Sequence, residues 1–138
     1  MNCKITATLG TAAFAALLGV STLASPAKAG GSIAFYLSPR TAQDAQAMDF
    51  GLRAYSLYNG LRDGAHISQV GRNNNAGIGQ NGNGNLGFIR QQGNGHSATL
   101  RQNGNGNSYG IFQFGRNTDA QVMQKGNGQS GTALLFGW

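Results

Sequence analysis

A glutamine recurs at every eleventh position, without insertion, through the C-terminal half of this 138-residue chain. A glycine follows each glutamine at the second position after it, and an aliphatic residue stands at the second position before it. The glutamines are Gln69, Gln80, Gln91, Gln102, Gln113 and Gln124; the glycines are Gly71, Gly82, Gly93, Gly104, Gly115 and Gly126; the aliphatic residues are Ile67, Ile78, Ile89, Leu100, Ile111 and Val122. A spacing of two puts the aliphatic residue and the glutamine on one face of an extended strand, which a helix face cannot do. Each unit therefore predicts one short strand.

Asparagine and glycine fill most of the remaining positions of each unit, as in residues 82–85 and 104–107. Both residue types tolerate positive φ, so these segments predict tight turns. A chain that reverses once in every unit forms either an antiparallel meander or a solenoid in which two units make one coil. The solenoid is favoured, because residue i then stacks on residue i+22 at about 4.8 Å and identical amides form hydrogen-bonded ladders. The predicted fold class is all-β, a two-sided β-solenoid of strand–turn units with a thin dry interior.

Both ends of the repeat are irregular, as the ends of solenoids usually are. Residues 131–137 keep the spacing but have Leu135 in the glutamine position, and residues 54–60 keep it with Tyr58 there. We interpret both as degenerate terminal units of a solenoid that covers residues 54–138. Residues 30–53 form a lead segment, in which residues 41–52 are either a short helix with Thr41 as its N-cap or an extended or disordered chain.

Residues 1–29 have the pattern of a secretory signal peptide. Lys4 precedes an apolar stretch over residues 5–23, and residues 27–29 fit the small-x-small cleavage rule. An uncleaved membrane helix is the alternative, since the stretch approaches the length that spans a bilayer. We expect cleavage before Gly30. Cleavage would remove Cys3, the only cysteine, and leave an extracytoplasmic chain with no disulfide.

The charged residues are few, at 10% of the chain, and none is Glu. The formal net charge is +6, but the basic residues are spread singly, which indicates a solvated face rather than a specific nucleic-acid site. Aromatic residues such as Phe88, Tyr109 and Phe112 interleave with the arginines. We expect these rings at exposed strand positions, where they help sheets associate laterally.

Residues of the types that form nucleotide, metal and catalytic sites lack the neighbouring residues that such sites need. Two Gly-x-Gly-x-x-Gly matches, at residues 82–87 and 126–131, fall in repeat turns without the strand and helix of a dinucleotide site. His66 and His96 lack partner ligands for a metal, and no serine has a nearby acid or base arrangement. We therefore expect no enzyme: no catalytic residue, cofactor, metal or small-molecule substrate.

The pattern Gln-x-Gly-x-Gly-Asn-x-Ala is similar to the curlin-associated repeat of curli fibre subunits. Gln102, Gly104, Gly106 and Asn107 match it position by position, and Tyr109 stands where Ala is expected. The resemblance covers residues 65–135. It departs from the family where turn asparagine is replaced by His96, Thr118 and Gln129, and where the final glutamine is missing.

This resemblance implies an amyloid-forming solenoid that polymerises with itself into adhesive extracellular fibres of a biofilm matrix. It also implies export through the periplasm and a dedicated outer-membrane channel, with periplasmic accessory proteins and a nucleator subunit as partners. The six unbroken units favour the major fibre subunit. A minor nucleator of the same fibre and a soluble solenoid that binds carbohydrate or ice are the alternatives. A disordered linker is disfavoured by the strict spacing.

Overall fold

A computed structural model of the chain describes residues 30–62 and 64–138, so the predicted signal peptide and Asp63 lie outside the described residues. Strand β1 (Ser32–Leu37) and helix α1 (Ala42–Tyr58) come first. The later strands are β2 (Gly64–Val70), β3 (Asn75–Asn81), β4 (Leu86–Asn94), β5 (Ser97–Asn103), β6 (Ser108–Arg116), β7 (Asp119–Lys125) and β8 (Ser130–Gly137). The described chain is mostly β rather than all-β.

Strands β2 to β8 alternate between two sheets that face each other. One sheet has the order β1-β8-β6-β4-β2 and the other β3-β5-β7. Within each sheet the repeat strands are parallel, and residue i lies beside residue i+22, as Gln69 does beside Gln91 and Gln80 beside Gln102. The two-sided solenoid with 22 residues per coil is therefore confirmed, with about three coils.

The first glycine of each turn allows the coils to stack closely. The six repeat glycines have φ between 88° and 128°, which residues with a Cβ rarely adopt. At Gly93, a Cβ would also overlap the carbonyl oxygen of Gly115 in the next coil. The same overlap occurs at Gly71, Gly82, Gly104 and Gly115 with the corresponding glycine of the next coil. These positions thus require glycine for both backbone conformation and space.

The interior is a narrow strip of small and aliphatic side chains between the two sheets. The buried cluster consists of Ile89, Ala98, Leu100, Tyr109, Ile111, Ala120, Ala133 and Leu135. Burial decreases toward both ends: Ile67 in β2 is exposed, and Ile78 and Val122 are only partly buried. The predicted dry interior is therefore complete only in the middle coils.

The N-terminal segment wraps around the solenoid. β1 pairs antiparallel with β8, so that Ser32 lies beside Gly137 and Leu37 beside Thr132. α1 then crosses the outer face of the five-stranded sheet. Thr41 is its N-cap, with Oγ1 accepting from the Asp44 N–H at 3.1 Å, so of the two predicted alternatives the helix is the one that forms. Among residues 30–62 and 64–138, no helix has the length and apolar character needed to cross a bilayer.

The structure corrects the interpretation of residues 54–60. This unit was expected to be a strand, but residues 54–58 are the end of α1, and the solenoid begins at Gly64. The Tyr55 ring stacks on Phe88 with a centroid distance of 5.2 Å, and the buried Ser56 hydroxyl donates to the Leu61 carbonyl at 3.4 Å. These contacts stabilise the helix. At the other end, residues 131–137 do form a strand, as part of β8.

The expectation of exposed aromatic rings was wrong for three residues. Phe88 is buried beneath α1 with Leu52 and Leu86, and Phe112 packs against the same cluster. Tyr109 stands at an inward position where the repeat has alanine, and it is buried in the interior. The helix and the interior, rather than another sheet, cover these rings.

Candidate functional site

Two ladders of glutamine side chains run through the interior, one on each sheet. In each ladder the amide Nε2 of one glutamine donates to Oε1 of the corresponding glutamine in the next coil. The pairs are Gln69 to Gln91 (2.7 Å), Gln91 to Gln113 (2.8 Å), Gln80 to Gln102 (2.7 Å) and Gln102 to Gln124 (2.8 Å). All six repeat glutamines therefore belong to one of two continuous hydrogen-bonded stacks.

The second amide hydrogen of each interior glutamine is donated to the backbone of the facing sheet. Gln91 donates to the Asn75 carbonyl at 2.9 Å, and Gln102 donates to the Leu86 carbonyl at 3.0 Å. Gln91 and Gln113 are completely buried, yet the described chain has no buried side-chain nitrogen or oxygen without a partner. Because every partner is present, burying these amides costs little and fixes the stacking register.

The two ladders end differently. In the five-stranded sheet, the next position after Gln113 is Leu135, and the Gln113 amide donates to the Ser97 carbonyl at 2.8 Å and the Thr118 carbonyl at 3.1 Å. At its Gln113 end this ladder closes within the chain. In the three-stranded sheet, Gln124 at the edge donates to the Ser108 carbonyl at 3.3 Å, which accounts for one of its two amide hydrogens. That ladder can therefore continue into a further strand.

A second set of ladders, formed by turn asparagines, was not predicted. Nδ2 of Asn74, Asn85 and Asn107 donates at 2.8 Å to the carbonyl of a turn glycine in the next coil. Oδ1 of the same residues accepts from the backbone N–H of the equivalent position in the next coil, at 2.9–3.0 Å. These residues had been assigned to turns only. Their recurrence at whole multiples of the repeat unit was the signal that could have revealed the ladder.

Where the repeat lacks the turn asparagine, other side chains make some of the hydrogen bonds that asparagine makes in the other coils. His96 and Thr118 occupy this position in adjacent coils and are both buried. The His96 Nδ1 atom lies 2.8 Å from the Thr118 hydroxyl and 3.4 Å from the Thr118 backbone nitrogen. His66, by contrast, contacts the Arg62 carbonyl at 2.5 Å. The two histidines therefore have separate backbone or side-chain partners.

Tyr109 is the exception among the residues four positions before each repeat glutamine, which are otherwise alanine or glycine. Its side chain is buried beside β8, where a Cβ on Gly131 would overlap its ring. Burial raises the pKa of the Tyr109 hydroxyl to about 12, and the proximity of Tyr36 contributes in the same direction. The hydroxyl is neutral at physiological pH.

Among the described strands of the repeat, three lie at a sheet edge with one side unpaired. β2 is the last strand of the five-stranded sheet, and β3 and β7 are the two ends of the three-stranded sheet. The fourth end of the solenoid, β8, is covered by β1. Open edges present unpaired N–H and C=O groups that can template a further strand. The candidate functional site is thus the pair of solenoid ends, together with the glutamine ladder that reaches them.

The fold and its ladders define a class, the parallel two-sheet β-solenoid of strand–turn units, whose ends can accept more strands. The sequence profile of the curlin-associated repeat matches residues 62–93 and again residues 82–115. The chain therefore contains curlin-associated repeats, as the resemblance predicted. The repeat and the β-solenoid fold are both of a structural kind. No curated protein matches the chain.

Proposed function

We propose that the mature chain is a secreted structural subunit that polymerises end to end into extracellular amyloid fibres. The observation that carries this proposal is the open glutamine ladder of the three-stranded sheet. Gln80 presents an acceptor oxygen at one end of the solenoid, and Gln124 presents a donor hydrogen at the other. Each end of this ladder can therefore hydrogen-bond to a further strand when a second copy is added in the same direction.

Addition of a copy also completes the burial that a single chain leaves unfinished. Ile67 and Val122 lie in terminal coils and are less buried than Leu100 and Ile111 in the middle. A stacked neighbour would remove this apolar surface from water and pair the edge backbone groups. Few charges oppose the contact, since charged residues make up 10% of the chain.

The cellular role follows from the family rather than from the geometry. We assign the chain to the major subunit rather than the nucleator, because six successive units keep the glutamine. Its partners would be other copies of itself, a nucleator subunit, periplasmic accessory proteins and an outer-membrane secretion channel. The fibres would serve in adhesion and in the biofilm matrix at the cell surface.

Purified chain that begins at Gly30 tests this function. At neutral pH we expect fibres that give a cross-β reflection at about 4.8 Å. We also expect fragments of preformed fibres to abolish the lag before growth. Substitution of both Gln80 and Gln102 by Ala should slow seeded growth more than Arg101→Ala, because Arg101 is exposed on the outer face. A chain that stays monomeric in the presence of seeds would contradict the proposal and favour a soluble ligand-binding solenoid.

A further inference from the structure

The two sheets of the solenoid contain different numbers of repeat strands. β2, β4, β6 and β8 contribute four strands to one sheet, whereas β3, β5 and β7 contribute three to the other. Strands in both sheets are spaced at about 4.8 Å, so copies that stack end to end must lengthen both sheets equally. Each junction between two copies would therefore lack one strand in the three-stranded sheet.

One segment of the chain has the sequence of the missing strand. Ala54, Ser56, Tyr58 and Gly60 continue the repeat spacing. They stand 22 residues, one full coil, before Ala76, Ile78, Gln80 and Gly82, respectively. The series stops there, because one further unit back the glycine position holds Asp49. A strand at residues 54–60 would give each copy eight repeat strands, four in each sheet.

We propose that residues 54–60 change from helix to strand on assembly and occupy the open edge of β7 in the neighbouring copy. In the same step β1 leaves the edge of β8, and β2 of the incoming copy takes its place. The junction surface is thus the β7–β8 end of one copy, and its partner is the segment from Ala54 to Val70 of the next. This inference rests on the proposed function, because it describes the contact through which the fibre grows.

The exposed apolar residues pair in this register. When the coil-to-coil stacking continues unchanged across the junction, Leu57 of the incoming copy lies beside Met123, and Val70 lies beside Phe136. In the single chain these four side chains are 72%, 58%, 62% and 42% exposed, respectively. Parallel partners in register share a face of the sheet, so the junction brings both pairs into contact. A one-residue slip would separate them.

The two units that lack glutamine meet in a single coil. β8, with Leu135, forms one side of the junction coil, and the incoming strand, with Tyr58, forms the other. A tyrosine hydroxyl both donates and accepts, which suits a position between the Gln124 donor and the Gln80 acceptor. An open groove of about 520 Å³ already borders β7, lined in part by Val122, Gln124 and Tyr109. The place of the incoming strand is therefore accessible.

The end of α1 is weakly held. Gly51 within the helix costs about 1 kcal/mol relative to Ala, and the last turn has no basic residue to offset the helix dipole. Leu57 and Tyr58 are exposed, so the helical form gains little from burying them. The contacts that conversion would break are mainly those of Tyr55 and Ser56. Strand pairing at the junction replaces them with a full backbone ladder.

Cross-linking between two single-cysteine variants tests the register, since the mature chain contains no cysteine. Leu57→Cys and Met123→Cys chains are mixed, assembled under reducing conditions and then oxidised. In-register strands bring the two Cα atoms within the range a disulfide spans, so we expect about tenfold more mixed dimer than from Leu57→Cys with Gln121→Cys. Gln121 lies on the same strand and face, two positions out of register.

A third mixture separates the proposal from its simplest rival. If residues 54–60 stayed helical and β3 stacked directly on β7, Gly79→Cys would link to Met123→Cys instead. That link, or fibres without the Leu57–Met123 link, would overturn the proposal and leave the proposed function intact. Failure of the unsubstituted chain to form seeded fibres would instead reject the proposed function itself.

A measurement on the unsubstituted chain decides the matter even where cysteine variants assemble poorly. Of the four tyrosines, Tyr36 and Tyr109 lie in strands, and Tyr55 and Tyr58 lie in α1. In fibres labelled with carbon-13 at tyrosine, we expect the Cα shifts of Tyr55 and Tyr58 to change from helical to strand values. Persistence of helical tyrosine signals in the fibres would overturn the conversion.

Discussion

The substitution Gln91→Ala tests the energetic importance of the interior ladder. Gln91 is fully buried, accepts from Gln69, and donates to Gln113 Oε1 and to the Asn75 carbonyl. Its loss leaves the buried Gln113 oxygen without a donor, at about 1–3 kcal/mol. The other two hydrogen bonds are worth about 1 kcal/mol each. We expect the free energy of unfolding to fall by about 4 kcal/mol in total.

The adjacent residue provides a matched control. Gln92 is the same residue type on the same strand, but it is exposed on the opposite face. Gln92→Ala should change the free energy of unfolding by less than about 0.5 kcal/mol. Guanidinium unfolding of freshly prepared monomer, followed by far-ultraviolet circular dichroism, measures both variants. Equal losses for Gln91→Ala and Gln92→Ala would refute the view that the buried ladder stabilises the solenoid.

Three further perturbations follow from the described contacts. Gly93→Ala should destabilise the fold by more than about 3 kcal/mol, because Gly93 has a positive φ and a Cβ there would overlap the Gly115 carbonyl. Gly77→Ala is the control, since a Cβ at Gly77 would have no other atom within 4 Å. Thermal unfolding of the two variants measures the difference. His96→Asn restores the ladder asparagine and should unfold within about 1 kcal/mol of the parent, whereas His96→Ala should lose about 2 kcal/mol. Because burial raises the pKa of Tyr109 from 10.0 to about 12, its stabilising contribution is complete below pH 10.0 and is lost as the pH rises through about 12. Unfolding measured against pH should show this loss in the parent and not in Tyr109→Phe.

The register between coils was predictable because it depends on identical residues stacking in adjacent coils, and not on the strand propensity of single residues. Gln69 and Gln91 pair because two amides satisfy each other at the strand spacing, and any other register would break the pairs. The same reasoning extends to the asparagine ladder, where Asn85 accepts from the N–H of Asn107. The strict repeat period was therefore enough to predict how strands β2 to β8 stack.

The N-terminal segment was harder to predict because it lies outside the period. Residues 32–37 do not carry the repeat spacing, so nothing in the sequence indicated an antiparallel pairing with β8. Residues 54–60 do carry it, yet tertiary contacts of Tyr55 with Phe88 and Phe112 favour a helix. Local spacing is compatible with both conformations, and packing on the sheet decides between them.

The glutamine ladders that fix the stacking of the coils also have end residues that lack a second ladder partner. Gln91 and Gln102 have a glutamine partner on each side, but Gln80 and Gln124 each have only one, because no strand of the single chain lies beyond β3 or β7. Of the outermost repeat strands, only β8 is covered, because β1 pairs with it in the antiparallel direction. The outer edges of β2, β3 and β7 stay unpaired. A fibre that grows head to tail uses the β7–β8 end at every junction. Displacement of β1 is then required at each addition, so a chain that begins after Leu37 should elongate faster from the same seeds than the chain that begins at Gly30.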